Sequence, residues 1–323
     1  MFVITGAAGF IGSCIVAKLN ELGIDHIILV DEEKDLPEDK KKNILNKKWH
    51  SYYDSRSFLD CIEKDKLPFN VEALIHMGAC SSTTCCDENF LRENNFEYTK
   101  ILAQWALKKN VRFIYASSAA TYGDGSFGYK DDEETIRLCR PLNLYGKSKQ
   151  DFDLLALEKG WLKKIVGLKF FNVFGPNEYH KGDMKSVICK AYPGIAQEGV
   201  MRLFKSYHPD YSDGGQMRDF IYVKDAVDVV AFFIEHSQIN GIFNVGTGKA
   251  RSWNDLALAI FQAVGKTPHI QYCDMPETLR PRYQYFTQAD MSRLKGVGYQ
   301  KPFTSLEESV KDYVKYLKDK TYW

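Results

Sequence analysis

The stretch Phe2-Val3-Ile4-Thr5-Gly6-Ala7-Ala8-Gly9-Phe10-Ile11-Gly12, FVITGAAGFIG over residues 2–12, sets the fold. A short apolar run enters a glycine-rich turn, and an amphipathic helical pattern continues to about residue 22. The glycines Gly6, Gly9 and Gly12 follow G-x-x-G-x-x-G, one residue wider than the common dinucleotide fingerprint. Backbone N–H groups at a helix N-terminus can receive a pyrophosphate only where no side chain intervenes. A second apolar run, HIILVD, ends at Asp31, where an acid accepts hydrogen bonds from the adenosine ribose and favours NAD. The loop beyond carries Lys34, Lys40, Lys41 and Lys42, which could neutralise a 2′-phosphate and favour NADP. These residues leave NAD and NADP both open.

Outward from this turn the pattern repeats. The strand-like runs VEALIHM, VRFIYAS and IVGLKFFNV alternate with helical stretches such as NNFEYTKILAQWALKK and NLYGKSKQDFDLLALE. That alternation predicts an α/β fold, a doubly wound parallel sheet of Rossmann type with helices on both faces. From about residue 176 the rhythm loosens into Pro-containing turns and shorter elements. The expected organisation is a dinucleotide-binding domain over 1–175, with a returning segment near 219–248. A smaller, mainly substrate-binding domain spans 176–323. Near the end, Ser305 followed by Glu308 predicts a capping box for a last helix.

The chain's 323 residues, 45% hydrophobic and 26% charged, are ordinary for a globular enzyme, and a net charge of +1 argues against nucleic acid or membrane as partner. No apolar run is long enough to span a bilayer and the first residues lack a basic leader, so a cytoplasmic location is expected. The eight cysteines are scattered, and adjacent Cys85 and Cys86 do not make a zinc knuckle, so free thiols are expected.

Catalytic chemistry gathers around Asn143-Leu144-Tyr145-Gly146-Lys147-Ser148-Lys149. At i and i+4, Tyr145 and Lys149 share one helix face. A phenol near pKa ~10 is a poor base at neutral pH, and a nearby ammonium is expected to lower it toward a useful range. Ser118, at the carboxyl end of the YAS strand, is placed to orient a substrate oxygen beside Tyr145. A second polar stretch, Tyr179-His180-Lys181-Gly182-Asp183, reads as a metal site, an acid/base site or a surface loop. A lone histidine without spaced partners makes metal the poorest of these, and no metal is expected.

These residues resemble those of extended short-chain dehydrogenase/reductases acting on nucleotide sugars, and more closely the ADP-heptose 6-epimerase branch. The resemblance is carried by GACSSTT (78–84), ENN (93–95), YASSAATYG (115–123), PLNLYGKSK (141–149) and FNVFGP (171–176). It continues through HKG (180–182), RDFIYVKD (218–225), GIFNVGTG (241–248) and RYQYFTQAD (282–290). It implies a bound NADP, an ADP-heptose-type nucleotide sugar as substrate, and a homo-oligomer. It also implies C6 oxidation and re-reduction on the opposite face, with Tyr145 and Lys181 as the two acid/bases and Ser118 and Lys149 beside them. Carried over position by position, cofactor contacts fall at Gly6, Gly9, Phe10, Ile11, Gly12, Asp31, Glu32, Lys40, Met77, Gly78, Ala79, Cys80, Ser81, Asn94, Lys149, Val173 and Lys181. Substrate contacts fall at Ser118, Asn172, Asp183, Lys190, Phe204, Arg218 and Tyr283, Arg218 suiting a diphosphate.

The chain departs from the family pattern at Asp183, at Lys190 and in the longer segment YHPDYSDGGQ ahead of Arg218. Two relatives of the same fold compete. A 4,6-dehydratase needs an acid where this chain has Ala119-Ala120, and a UDP-hexose 4-epimerase has no need of Lys181 as a second base. From a different class, a non-catalytic NADP-binding sensor would be expected to lose Tyr145, Lys149 or Ser118.

Overall fold

In the computed structural model, which describes residues 1–32, 36–280 and 283–323, the first half alternates strand and helix. It runs β1 (Phe2–Thr5), α1 (Phe10–Glu21), β2 (Ile27–Asp31), α2 (Glu38–Leu45), β3 (Ser51–Asp54), α3 (Ser55–Glu63) and β4 (Ala73–His76). After β4 come α4 (Glu88–Leu91), a wider π-helical turn (Arg92–Glu97), α5 (Tyr98–Lys109), β5 (Arg112–Ser118), α6 (Glu133–Leu138), α7 (Leu144–Glu158) and β6 (Val166–Phe170). The second half holds β7 (Asn172–Phe174), α8 (Val187–Glu198), β8 (Met201–Phe204), β9 (Met217–Tyr222), α9 (Val223–Glu235) and β10 (Gly241–Val245). It ends with β11 (Ala250–Ser252), α10 (Trp253–Val264), β12 (Ile270–Cys273), α11 (Ser292–Gly296) and α12 (Leu306–Asp319).

Seven strands form one parallel sheet in the order β10-β6-β5-β4-β1-β2-β3. Both of its faces are covered, and the period-two geometry of a strand explains how. Ile4, Leu29, Ile75 and Ile114 point into a core shared with α1 and α9, whereas Val3, Ile28, Leu74 and Phe113 meet Phe58 of α3, Leu102 of α5 and Phe152 of α7. The first core continues without a break through Val227 and Ile260 to Val310 and Tyr313 of α12. β10, late in the sequence, returns to pair with β6 at the edge of the sheet.

Two features differ from the sequence reading. IVGLKFFNV is not one strand: β6 belongs to the large sheet, while β7 pairs with β9 in a separate three-stranded sheet with β11. The change of sheet happens at Phe171, whose N–H bonds Val245 while its carbonyl accepts from Val173 two residues on. The helix expected from Asn94 is interrupted by the π-helical turn, which carries the buried Asn95. Asn95 donates to Cys80 O at 3.0 Å and accepts from Cys80 N–H at 2.8 Å, so the turn anchors the loop after β4. Ser305 and Glu308 do form the expected capping box on α12.

Register brings the loops after β1, β2, β4, β5 and β6 to one edge. Thr5 lies opposite His76, and His76 opposite Tyr115. The strand order reverses between β1 and β4, where the crevice of such a sheet opens.

Candidate active site

The glycine turn is shaped by close approach. Gly6 has φ +64°, and a Cβ there would stand 2.7 Å from the Gly78 backbone. A Cβ on Gly12 would come within 2.1 Å of the Gly6 carbonyl. Backbone alone therefore fits between β1, α1 and the loop carrying Met77, Gly78, Ala79, Cys80 and Ser81. Gly9 caps α1 with no side-chain hydrogen bond, leaving the dipole end open to an anion. Phe10 and Ile11 begin that helix.

Asp31 ends β2 almost fully buried, accepting from Ala8 N–H at 2.9 Å and Glu32 N–H at 2.9 Å. Lys40 Nζ reaches the same carboxylate at 2.6 Å. The acid and the lysine that argued for different cofactors are thus one ion pair. Lys34 lies outside the described residues, as does Arg282. A residue the sequence reading missed, Asn43 on α2, is fully buried and donates to Ala8 O at 2.9 Å and Asn177 O at 3.0 Å. It ties the glycine turn to the loop after β7. Asn94 packs in the π-helical turn, its amide 3.4 Å from Asn95 Oδ1, and Val173 lies in β7.

Tyr145 stands on α7, whose first turn is capped by Asn143 accepting from Gly146 N–H at 2.8 Å. Gly146 lets the helix press on the Ser118 loop, since a Cβ would sit 2.8 Å from Ala120 O. Burial pushes the Tyr145 phenol up, and a hydrogen bond from Ser118 partly offsets this. Burial thus opposes the lowering expected from Lys149 and a bound nicotinamide. Lys149 points its ammonium at Ala116 O, 2.8 Å away, and burial pushes it down to about 8 against the opposing pull of Asp153. Desolvation thus lowers its proton affinity, while the ammonium form persists at neutral pH.

Beneath this pair lies a network absent from the sequence reading. Asp153 and Lys169 form a fully buried ion pair at 2.6 Å. Asp153 also accepts from Tyr115 at 2.9 Å and Ser117 at 2.6 Å, and Lys169 donates to Thr121 at 2.7 Å. These partners bracket Ser118. Two signals pointed to it: Asp153 continues the i, i+4 series from Tyr145 and Lys149, and Lys169 is a charge within an apolar strand.

Lys181 is carried on a 3₁₀ turn, Tyr179–Met184, that follows β7. Its ammonium lies 5.4 Å from the centre of the Phe10 ring, which brings it against the start of α1. Burial lowers its proton affinity, and Glu178 opposes that. His180, its Nδ1 3.3 Å from the Asn43 amide, is pushed down to about 4 by burial and by Lys40 and Lys181. Among the described residues no cluster of His, Cys, Asp or Glu could hold a metal ion.

Arg218 of β9 is 6% exposed, with its guanidinium 5.1 Å from the Tyr283 ring and 5.6 Å from the Trp253 ring. Trp253, also missed, donates to Tyr283 Oη at 2.9 Å and so braces the sandwich. Burial pushes Arg218 down, and the groups opposing it are tyrosines, not carboxylates. A buried cation held by aromatic faces, with no carboxylate partner among the described residues, is suited to receive an anion. The long segment ahead of Arg218 folds back on itself: Ser206 N–H bonds Asp213, and Tyr211 stacks near Tyr285 with ring centres 5.6 Å apart. Phe204 ends β8 half-buried, and its carbonyl closes this segment by accepting from Gly214. Asn172, Asp183 and Lys190 are exposed. Among the described residues no helix is long and apolar enough to cross a membrane, and all eight cysteines are free.

Residues 2–246 match the NAD dependent epimerase/dehydratase family. A Nitratidesulfovibrio vulgaris protein named ADP-L-glycero-D-manno-heptose-6-epimerase is 55% identical over 315 residues, which cover 98% of this chain and 97% of that one. A Fusobacterium nucleatum protein of the same name is 47% identical over 97% of each chain. The solved Helicobacter pylori structure of that name superposes with a TM-score of 0.83 at 27% identity, covering 98% of this chain and 96% of the other.

Proposed function

The chain belongs to the NAD dependent epimerase/dehydratase family, and on that premise we propose that it is a cytoplasmic enzyme inverting C6 of ADP-D-glycero-D-manno-heptose to give ADP-L-glycero-D-manno-heptose. The observation that carries this reading is the mounting of two proton-exchanging groups on separate elements. Tyr145 stands on α7 beside Ser118, and Lys181 stands on the turn after β7 against Phe10.

The residues fit a nicotinamide dinucleotide: a turn no Cβ could enter, an uncapped helix N-terminus, and Asp31 paired with Lys40. A nicotinamide held there would supply a hydride acceptor and donor for C6. We assign NADP as its form because Lys40 already reaches the ribose-side acid and can turn to a 2′-phosphate. Gly6, Gly9, Gly12, Phe10, Ile11, Glu32, Met77–Ser81, Asn94, Val173 and Lys149 complete the cofactor half.

Inversion needs a proton acceptor on one side of C6 and a donor on the other. Tyr145 serves one face, with Ser118 orienting the sugar oxygen and Lys149 supplying charge to the phenolate. Lys181 serves the other, where partial desolvation brings a lysine toward the range useful for exchange. Arg218 and Tyr283 hold the diphosphate, and Asn172, Asp183, Lys190 and Phe204 border the sugar and base. We read residues 1–175, with the returning β9–β10 segment, as the cofactor half and the remainder mainly as the substrate half. We expect the enzyme to act as a homo-oligomer, which light scattering of the purified protein would measure.

The test is incubation with ADP-D-glycero-D-manno-heptose, following C6 by NMR. Inversion at C6 supports the assignment. No inversion, with turnover of a UDP-hexose instead, overturns it.

A further inference from the structure

The turn that carries Lys181 is closed by a single buried acid. Glu178 is 1% exposed, and its carboxylate accepts from Ser186 N–H, from Ser186 Oγ at 2.6 Å, from Tyr313 Oη at 2.9 Å and from Gly175 N–H at 3.4 Å. Its own backbone carbonyl accepts from Lys181 N–H at 3.0 Å. One residue thus binds the entry of the turn, its exit, and α12. Burial pushes this carboxyl up, and the hydrogen bonds from Ser186 and Tyr313, with the charge of Lys181, oppose the rise and favour the ionised form.

We propose that Glu178 is the positioning residue for Lys181: it pins both ends of the turn and supplies the counter-charge that keeps a desolvated ammonium available as the second acid/base. This rests on the reading of Lys181 given above. The geometry leaves few competitors for that role. From the turn itself Lys181 faces the neutral His180. From α1 it faces Phe10, and Lys40 of α2, like Lys181, disfavours the charge of His180. Glu178 accepts from Tyr313 of α12, and burial keeps both that phenol and the Cys189 thiol of α8 protonated. Among the described groups acting on Lys181, Glu178 is the acid that opposes desolvation. A carboxylate there favours the ammonium, and removing it lets burial drive the lysine further toward the neutral amine.

The experiment is NMR titration of protein labelled with 13Cε-lysine, its Lys181 signal assigned by disappearance in Lys181→Met. In Glu178→Gln the Lys181 midpoint is expected at lower pH than in the wild type, by about half a unit or more. Epimerisation kcat should fall at least about tenfold while KM for the sugar changes less than about threefold. Tyr313→Phe removes one donor but no charge and should leave the midpoint unmoved, separating charge from packing. An unchanged or raised midpoint in Glu178→Gln, with the fold intact by circular dichroism, overturns the proposal. If Glu178→Gln does not fold, Glu178→Asp carries the test: it keeps the charge, so a midpoint near wild type with reduced kcat supports the proposal and a lowered one overturns it. Wild-type activity in Lys181→Met would instead defeat the acid/base reading of Lys181, whatever the titration shows.

Discussion

The ammonium of Lys181 stands 5.4 Å from the centre of the Phe10 ring. Lys181 comes from the turn after β7 and Phe10 from the first residue of α1, so the contact joins the proposed second acid/base to the helix end proposed to receive the cofactor phosphates. An aromatic face favours the charged lysine by about 0.5–2 kcal/mol.

Phe10→Leu keeps an apolar side chain at a buried position and removes the ring. We expect epimerisation to slow by about threefold to tenfold, with little change in melting temperature. Steady-state kinetics beside a thermal melt measure both. A rate equal to wild type would mean that the ring is packing alone.

Lys169 and Asp153 are wholly buried and mutually satisfied. Removing one partner strands a charge, which costs about 3–5 kcal/mol, whereas replacing both with apolar groups can be nearly neutral. Lys169→Met should therefore lose about that much stability in urea unfolding, and Lys169→Met with Asp153→Leu should recover a good part of it. The double variant should still be slow, because Ser117 and Tyr115 lose their acceptor next to Ser118.

How much of this could be read from the chain depends on the range of the interaction. The glycine turn, the Tyr145–Lys149 spacing and the capping box at Ser305 are written within a few residues, and helix or strand geometry converts them directly into placement. The parallel sheet follows from repetition of the same local pattern. Asn43, Asn95, Glu178 and Trp253 were not legible, because their partners lie as far as 137 residues away and become neighbours only through the fold. The split of IVGLKFFNV between two sheets was hidden for a similar reason: an apolar run does not say which strand it pairs with. The burial of Tyr145, which opposes its expected lowering, is likewise not revealed by the spacing of two side chains.

His180 has a folded value of about 4, below the 6.5 of an ordinary histidine, because burial and two lysines disfavour its charge. As pH falls, the unfolded chain takes up this proton first. The stability tied to the neutral ring is thus present above about pH 6.5 and is lost progressively as pH falls toward 4, a difference of up to about 3 kcal/mol. His180→Gln should flatten the wild-type decline in unfolding free energy over that window, as read by urea titrations at stepped pH. Parallel curves for the two proteins would show that the ring does not titrate as described.

The most direct measurement of the central claim is the rate of C6 inversion of ADP-D-glycero-D-manno-heptose by Tyr145→Phe and by Lys181→Met, each shown to retain cofactor. A general acid/base contributes about 10²–10⁴-fold, so both variants should fall by about that factor. Loss in Tyr145→Phe with a wild-type rate in Lys181→Met would contradict a two-base inversion and leave Lys181 as a charge on the surface of the cleft.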